Sequence, residues 1–323
     1  MPWRRGIVQA RLFLVTGGAG FIGSHIVEAL VRRGDRVRVL DNLSTGFLAN
    51  LDAVRERIEF IEADLVDAEA VARAVEGVDC VFHEAALASV PLSVEHPLRT
   101  HAACATGTVT LLDAARRAGV RRVVYASSSA LYGDRPGSPK HETDLPGPIS
   151  PYGAAKLAAE YYCGAFSASF SIETVALRYF NVFGPQQDPK SPYAAVIPIF
   201  ITAILSGQSP VIYGDGRQSR DFTYVADVVQ ANLLAADAPA AANRVMNVAT
   251  GRSVDLLELL AGLNEVLGAR IEPVFAPPRP GDIRESTADI TAARTLLGYE
   301  PRVSLIDGLR RSIDYYRRVI GKG

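Results

Sequence analysis

TGGAGFIG, residues 16 to 23, is the stretch that decides the fold. It follows the apolar run RLFLV (11 to 15) and opens an amphipathic stretch near 20 to 34, so its glycines fall at a strand-to-helix turn. In that context Gly17 permits the tight turn, Gly20 lets backbone approach a pyrophosphate, and Gly23 allows close packing of helix on strand. The free amides around Phe21 and Ile22 at the helix start then favour an anion. The second apolar run ends RVRVLD, which places Asp41 where a carboxylate accepts hydrogen bonds from an adenosine ribose and repels a 2′-phosphate. NAD is therefore expected over NADP, although Arg38 stands close enough in sequence to leave the question open.

Working outward, short β-branched runs alternate with longer amphipathic stretches from Arg11 to Phe180. RLFLVT, RVRVLD, IEFIEAD, DCVFHEA, RRVVYASS and IETVALRYF read as strands, with helices near 20 to 34, 67 to 76, 95 to 118 and 151 to 168. This is the pattern of an α/β, Rossmann-type doubly wound parallel sheet. Residues 1 to 180 are expected to form the dinucleotide-binding domain, with segments near 215 to 250 returning to it. Residues 181 to 323 are expected to form a smaller α/β substrate domain, with helices near 195 to 206, 227 to 237, 254 to 268 and 303 to 319. AADAPAAAN, near 235 to 243, reads as an exposed linker. Asp64 and Leu65 after the third strand are candidates to bracket an adenine, and Ala85 and Ala86 after the fourth keep the floor of the site shallow.

Composition bounds the function. The 323 residues, 48% hydrophobic and 21% charged, suffice for one large domain or two intimate ones. A formal net charge of -1 gives no field that would collect nucleic acid or anionic membrane, so any phosphate binding must be local. Cys80, Cys104 and Cys163 lie far apart with no CxxC pair, which indicates neither a disulfide framework nor a zinc site and suits a reducing cytoplasm. The five histidines are scattered without carboxylates at ligand spacing, so no metal is expected. No segment stays uncharged long enough to span a bilayer.

ISPYGAAKLAAEYY carries the chemistry. Ser150 as N-cap and Pro151 at the first helical position start a helix on which Tyr152 and Lys156, four apart, share a face. A phenol of pKa near 10 is a poor base at neutral pH, and each unit of lowering requires about 1.4 kcal/mol of differential stabilisation. Lys156 and a positive nicotinamide ring would supply it, so that Tyr152 takes a hydroxyl proton as hydride leaves the same carbon. Upstream, RRVVYASSSALYGD puts three serines at a strand end, of which Ser129 is expected to hydrogen-bond the reacting oxygen. Ser127 and Ser128 would serve the strand end, the cofactor or a substrate hydroxyl.

Together with DNLSTG (41 to 46), RYFNVFGP (178 to 185), YAAVIP (193 to 198), RDFTYV (220 to 225) and RPGD (279 to 282), these motifs make the chain resemble the extended short-chain dehydrogenase/reductase family over nearly its whole length. Within that family it is similar to nucleotide-sugar 4-epimerases acting on UDP-glucose and UDP-N-acetylglucosamine. The resemblance implies that bound NAD takes hydride from C4, the 4-keto sugar rotates, and hydride returns to the other face. It implies cofactor contacts from Asn42, Ser44, Thr45, Gly46 and Tyr179. It also implies that Asn181, Arg220 and Arg279 hold the diphosphate of a UDP-sugar, that Asp282 binds the uridine ribose, and that Val196, Ile197 and Tyr213 lie near the uracil. Ser128 and Ser129 would face the sugar, and a homodimer pairing the helices near 95 to 118 and 151 to 168 is expected by the same analogy.

Related 4,6-dehydratases carry an Asp-Glu pair after the active-site hydroxyl residue. With Ser129 in that role, Ala130 and Leu131 occupy those places, which argues against dehydration. A UDP-glucuronate 4-epimerase or a net oxidoreductase is the alternative. Four residues after Asp282, where a large aromatic would exclude N-acetyl groups, stands Ser286, so acetamido sugars are expected to enter. Two departures from the family are Cys104, where Asn is common, and Glu84, where the residue is usually uncharged.

Overall fold

The computed structural model describes residues 11–191, 194–278 and 283–321. Its centre is a sheet of seven strands: β1 (Leu12–Thr16), β2 (Arg36–Asp41), β3 (Ile58–Glu62), β4 (Cys80–His83), β5 (Arg122–Ser128), β6 (Glu173–Tyr179) and the strand Arg244–Val248. From one edge the order is Arg244–Val248, β6, β5, β4, β1, β2, β3, and every pairing is parallel. The six strands read from the sequence are all present. Because the chain leaves β1 towards β2 and later returns to the other side of β1 as β4, the order reverses there, and a crevice opens outside the carboxyl ends of those two strands.

Apolar side chains leave both faces of the sheet, as a parallel sheet between helix layers requires. One face packs on the helices Phe21–Arg33 and Val225–Asp237 through Ile26, Leu30, Val228 and Ala235. The other packs on Ala68–Ala74, Gly107–Arg117 and Pro151–Ser169 through Val71, Leu111 and Ala159. A separate core, built on Ile197, Phe200, Leu259, Leu263, Leu309 and Tyr316, joins the helices Val196–Leu205, Leu256–Leu267 and Leu305–Ile320 into a second lobe.

Two expectations need adjustment. The stretch near 95 to 118 is not one regular helix, because a π-helical turn, Ala102–Thr106, interrupts it between Pro97–His101 and Gly107–Arg117, and Cys104 lies inside that turn. The stretch 235 to 243 is not an exposed linker. Ala235, Ala236 and Ala241 are buried, and the buried Arg122 guanidinium donates to the carbonyls of Ala235 (2.6 Å) and Ala238 (2.8 Å). Alanine-rich sequence reads as a spacer, but small side chains also let backbone carbonyls approach a buried cation. Arg244–Val248, within the stretch near 215 to 250 read as returning to the first domain, completes the large sheet, and further along the chain Ala288, Ile290, Ala293, Leu297 and Tyr299 also pack into its core.

Candidate active site

The crevice is a cleft of about 620 Å³. Gly17, Gly20, Phe21, Ile22, Gly23, Asp41, Asn42, Ser44, Thr45, Gly46, Asp64, Leu65, Ala85 and Ala86 all line it, so the sequence-predicted dinucleotide residues converge. Gln187, Asp188 and Lys190 face them from the second lobe.

The glycine loop is as tight as the motif requires. Gly17 has φ +69°, and a Cβ there would lie 2.6 Å from the Ala85 amide nitrogen. A Cβ on Gly23 would meet the Gly17 carbonyl at 2.2 Å, so nothing larger than glycine fits between loop and helix. Gly20 caps the helix Phe21–Arg33 without a side-chain acceptor, which leaves the first amides of that helix to the cleft they line.

Asp41 has a second task that the sequence did not announce. Its Oδ2 accepts from the Ala19 amide (2.9 Å) and its Oδ1 from the Leu43 amide (2.8 Å), so the carboxylate pins the glycine loop as well as bordering the cleft. Each oxygen keeps acceptor capacity for a ribose. Arg38, the residue that left NADP open, is turned away: its guanidinium is held by Glu59 (2.8 Å) and the carbonyls of Ala74 and Glu76. The charge bordering the cleft at the end of β2 is therefore Asp41 alone, and these residues fit NAD.

Ser150 caps the helix Pro151–Ser169 through the Gly153 amide (3.1 Å). Lys156 is buried and donates to the Ala126 carbonyl at 2.7 Å, which fixes its head at the end of β5. Burial pushes the Tyr152 phenol above its ordinary range, opposed by a hydrogen bond with Ser128. Burial likewise lowers Lys156, opposed by Cys104 and Glu84. The chain by itself thus favours a neutral phenol, and depressing it takes positive charge at the phenol.

The hydroxyl that acts on the Tyr152 phenol is that of Ser128, the neighbour of the expected Ser129. The reason is register. β5 ends at Ser128, and Ser129 starts the turn Ser129–Leu131, which Ser128 caps through the Ala130 amide (3.2 Å). Side chains alternate along a strand, so Ser127 points the other way and donates to Glu160 at 2.6 Å. Its side chain is committed there, against the expectation that it serves the cofactor. The two places after Ser128 are Ser129 and Ala130, and neither is a carboxylate.

Tyr179 is buried, donates to Glu84 (2.8 Å) and accepts from Asn232 (2.7 Å). On the substrate side, Ser219–Arg220 pairs with Glu285–Ser286, which sets Ser286 beside Arg220. The Arg220 guanidinium donates to the carbonyls of Ser219 and Ile283. The neighbouring Asp221 is buried and accepts from Thr250, Gly251 and Ala288. Asn181 holds a positive φ of 28° where the chain passes into the second lobe. Val196 opens its helix half-buried, Tyr213 ends the strand Val211–Tyr213, and Ile197 is 1% exposed in the lobe's core, which removes it from any ligand surface. Arg279 and Asp282 lie outside the described residues.

A dinucleotide cleft at the switch point of a doubly wound sheet, together with a Tyr and Lys four apart on the helix Pro151–Ser169, defines an enzyme of the short-chain dehydrogenase/reductase class that uses NAD. The chain belongs to the NAD dependent epimerase/dehydratase family, whose model matches residues 13–249. A UDP-glucose 4-epimerase of Mycolicibacterium smegmatis is 41% identical over 309 residues, covering 94% of this chain and 98% of that protein. Among solved structures, the UDP-N-acetylglucosamine 4-epimerase of Methanobrevibacter ruminantium in complex with UDP-N-acetylmuramic acid superposes with a TM-score of 0.92 at 43% identity, covering 96% and 99% of the two chains. The UDP-glucuronic acid 4-epimerase of Bacillus cereus, in complex with UDP-glucuronic acid and NAD, does so with a TM-score of 0.88 at 31% identity, covering 95% and 99%.

Proposed function

We propose that the protein inverts C4 of UDP-hexoses, UDP-glucose/UDP-galactose and UDP-N-acetylglucosamine/UDP-N-acetylgalactosamine, through a 4-keto sugar. The observation that carries this reading is the Tyr152 phenol acted on by the Ser128 hydroxyl, one helical turn from Lys156, with no Asp-Glu pair after Ser128. Bound NAD supplies a reversible hydride acceptor. Tyr152 removes the C4 hydroxyl proton and later returns it; Ser128 hydrogen-bonds the same oxygen and holds the reacting carbon in place. Lys156, one helical turn on and anchored on the Ala126 carbonyl, supplies the positive charge that favours phenolate. The Rossmann part of the chain holds the cofactor, with Asp41 on the adenosine ribose, and the second lobe holds the nucleotide, with Asn181, Arg220 and Arg279 on the diphosphate, Asp282 on the uridine ribose and Val196 and Tyr213 by the base.

Ser286, beside Arg220, lines the sugar pocket as a small residue that leaves room for an N-acetyl group. The working unit is a homodimer. Val94 and Leu98 on the two short helices beside the catalytic one, and Tyr161 and Tyr162 on the catalytic helix itself, are 64%, 85%, 61% and 46% exposed, an apolar face that a second copy would cover. Among the described residues no helix is long and apolar enough to cross a membrane. Turnover of a UDP-sugar panel without added NAD tests the reaction. C4 epimers support it; net NADH accumulation contradicts it.

A further inference from the structure

Glu84 is an unexpected carboxylate in this site. It follows β4, lines the cleft between Gly17 and Ala85, and interacts electrostatically with both Tyr152 and Lys156. Its Oε1 accepts from the Tyr179 phenol at 2.8 Å, which in turn accepts from Asn232, itself anchored to the Val228 carbonyl at 2.9 Å. Three elements thus fix one side chain: the end of β4, the end of β6 and the helix Val225–Asp237. So many restraints on a partly solvated carboxylate need a reason other than packing, since an apolar residue would fill the place without desolvating a charge.

The cleft gives one. A dinucleotide with its pyrophosphate at the glycine loop and its reacting end towards Tyr152 would lie along the cleft that Glu84 lines. The oxidised nicotinamide ring is cationic and the reduced ring neutral, so an ionised carboxylate held in the lining of the cleft would stabilise the oxidised state over the reduced one. We infer that Glu84 is a positioning residue that biases the bound cofactor towards its oxidised form, so that hydride taken from the sugar is driven back to it. The balance is simple: a C–H bond on the sugar breaks, its two electrons and hydrogen form a C–H bond on the ring, the ring loses its positive charge, and the return step reverses each change. At the alkaline pH where Glu84 is ionised it exchanges no proton in either direction. A cofactor that must be left oxidised after each turnover benefits from such a bias, whereas an enzyme releasing NADH would not.

This inference rests on the use of NAD and not on which sugar is turned over, so it fails separately from the proposed reaction. The test is chemical reduction of the enzyme-bound NAD by sodium cyanoborohydride, with no sugar present, at alkaline pH, followed by the near-ultraviolet absorbance of the reduced ring and normalised to NAD content. Glu84→Gln keeps the acceptor for Tyr179 and removes the charge; its bound NAD is expected to be reduced roughly five-fold faster than the wild type's. Tyr179→Phe breaks the same network but keeps the carboxylate, and is expected to be no faster than wild type. An unchanged or slower rate in Glu84→Gln, or an acceleration in Tyr179→Phe, overturns the inference.

Discussion

Arg178 on β6 and Glu160 on the catalytic helix meet at 2.7 Å with their side chains 4% and 3% exposed. Glu160 also accepts from Ser127 of β5, so a single carboxylate ties the helix carrying Tyr152 and Lys156 to two strands of the sheet. Removing one partner would strand a buried charge. Glu160→Ala is expected to cost about 3 to 5 kcal/mol of stability, measured by denaturant unfolding with NAD saturating, whereas a surface pair such as Arg310–Asp307 should contribute under about 1 kcal/mol.

Ser128 and Ser129 separate the two readings of the serine run. Ser128→Ala is expected to lower kcat by about ten- to a hundred-fold with KM little changed, and Ser129→Ala to lower it far less. Tyr152→Phe should lose about a thousand-fold while keeping NAD content and thermal stability. Equal losses from the two serine variants would restore Ser129 to the role.

Gly23→Ala should leave little bound NAD. Its Cβ would overlap the Gly17 carbonyl, and the loop cannot shift without disturbing Gly17 against the Ala85 backbone. The NAD content of the purified variant checks this.

Stability should depend on pH through two adjacent residues with opposite signs. Burial first, then Lys156, lowers His83 to about 3, so stability is lost as pH falls from about 6.5, where the unfolded chain takes up the proton that the folded one refuses. Burial, opposed by Tyr179 and Lys156, raises Glu84 to about 7. Its folded form holds a proton that the unfolded chain has lost, so stability is lost as pH rises from about 4.3 towards 7. The Glu84→Gln variant should therefore gain about 3 kcal/mol relative to wild type between pH 4.5 and 8 in urea unfolding. A constant difference across that range would mean that Glu84 keeps an ordinary pKa.

Much of this was legible in the sequence because it is local. TGGAGFIG fixes a turn by steric limits, the strands are β-branched runs, and Ser150 with Pro151 starts the catalytic helix. What was not legible depends on register or on distant partners. Three consecutive serines look alike until the strand end shows which one turns towards Tyr152. Nothing near Glu84 in sequence reveals Tyr179 and Asn232, 95 and 148 positions away. The alanines around 238 look like a spacer because the cation they receive, Arg122, is 113 residues upstream of Ala235.

Ser286→Tyr would place an aromatic ring beside Arg220 and is expected to abolish turnover of UDP-N-acetylglucosamine while leaving most of the turnover of UDP-glucose. Parallel loss of both would show that Ser286 does not set the width of the pocket.

The most direct test of the central claim is incubation of the purified enzyme, with no added NAD, with UDP-glucose, UDP-N-acetylglucosamine and UDP-glucuronate, followed by separation of C4 epimers and the near-ultraviolet spectrum of the protein. The account predicts galacto and glucosyl forms interconverting to equilibrium for the first two sugars, with no stoichiometric NADH. Build-up of NADH with a keto or acid product, or no epimer from any of the three, would contradict it.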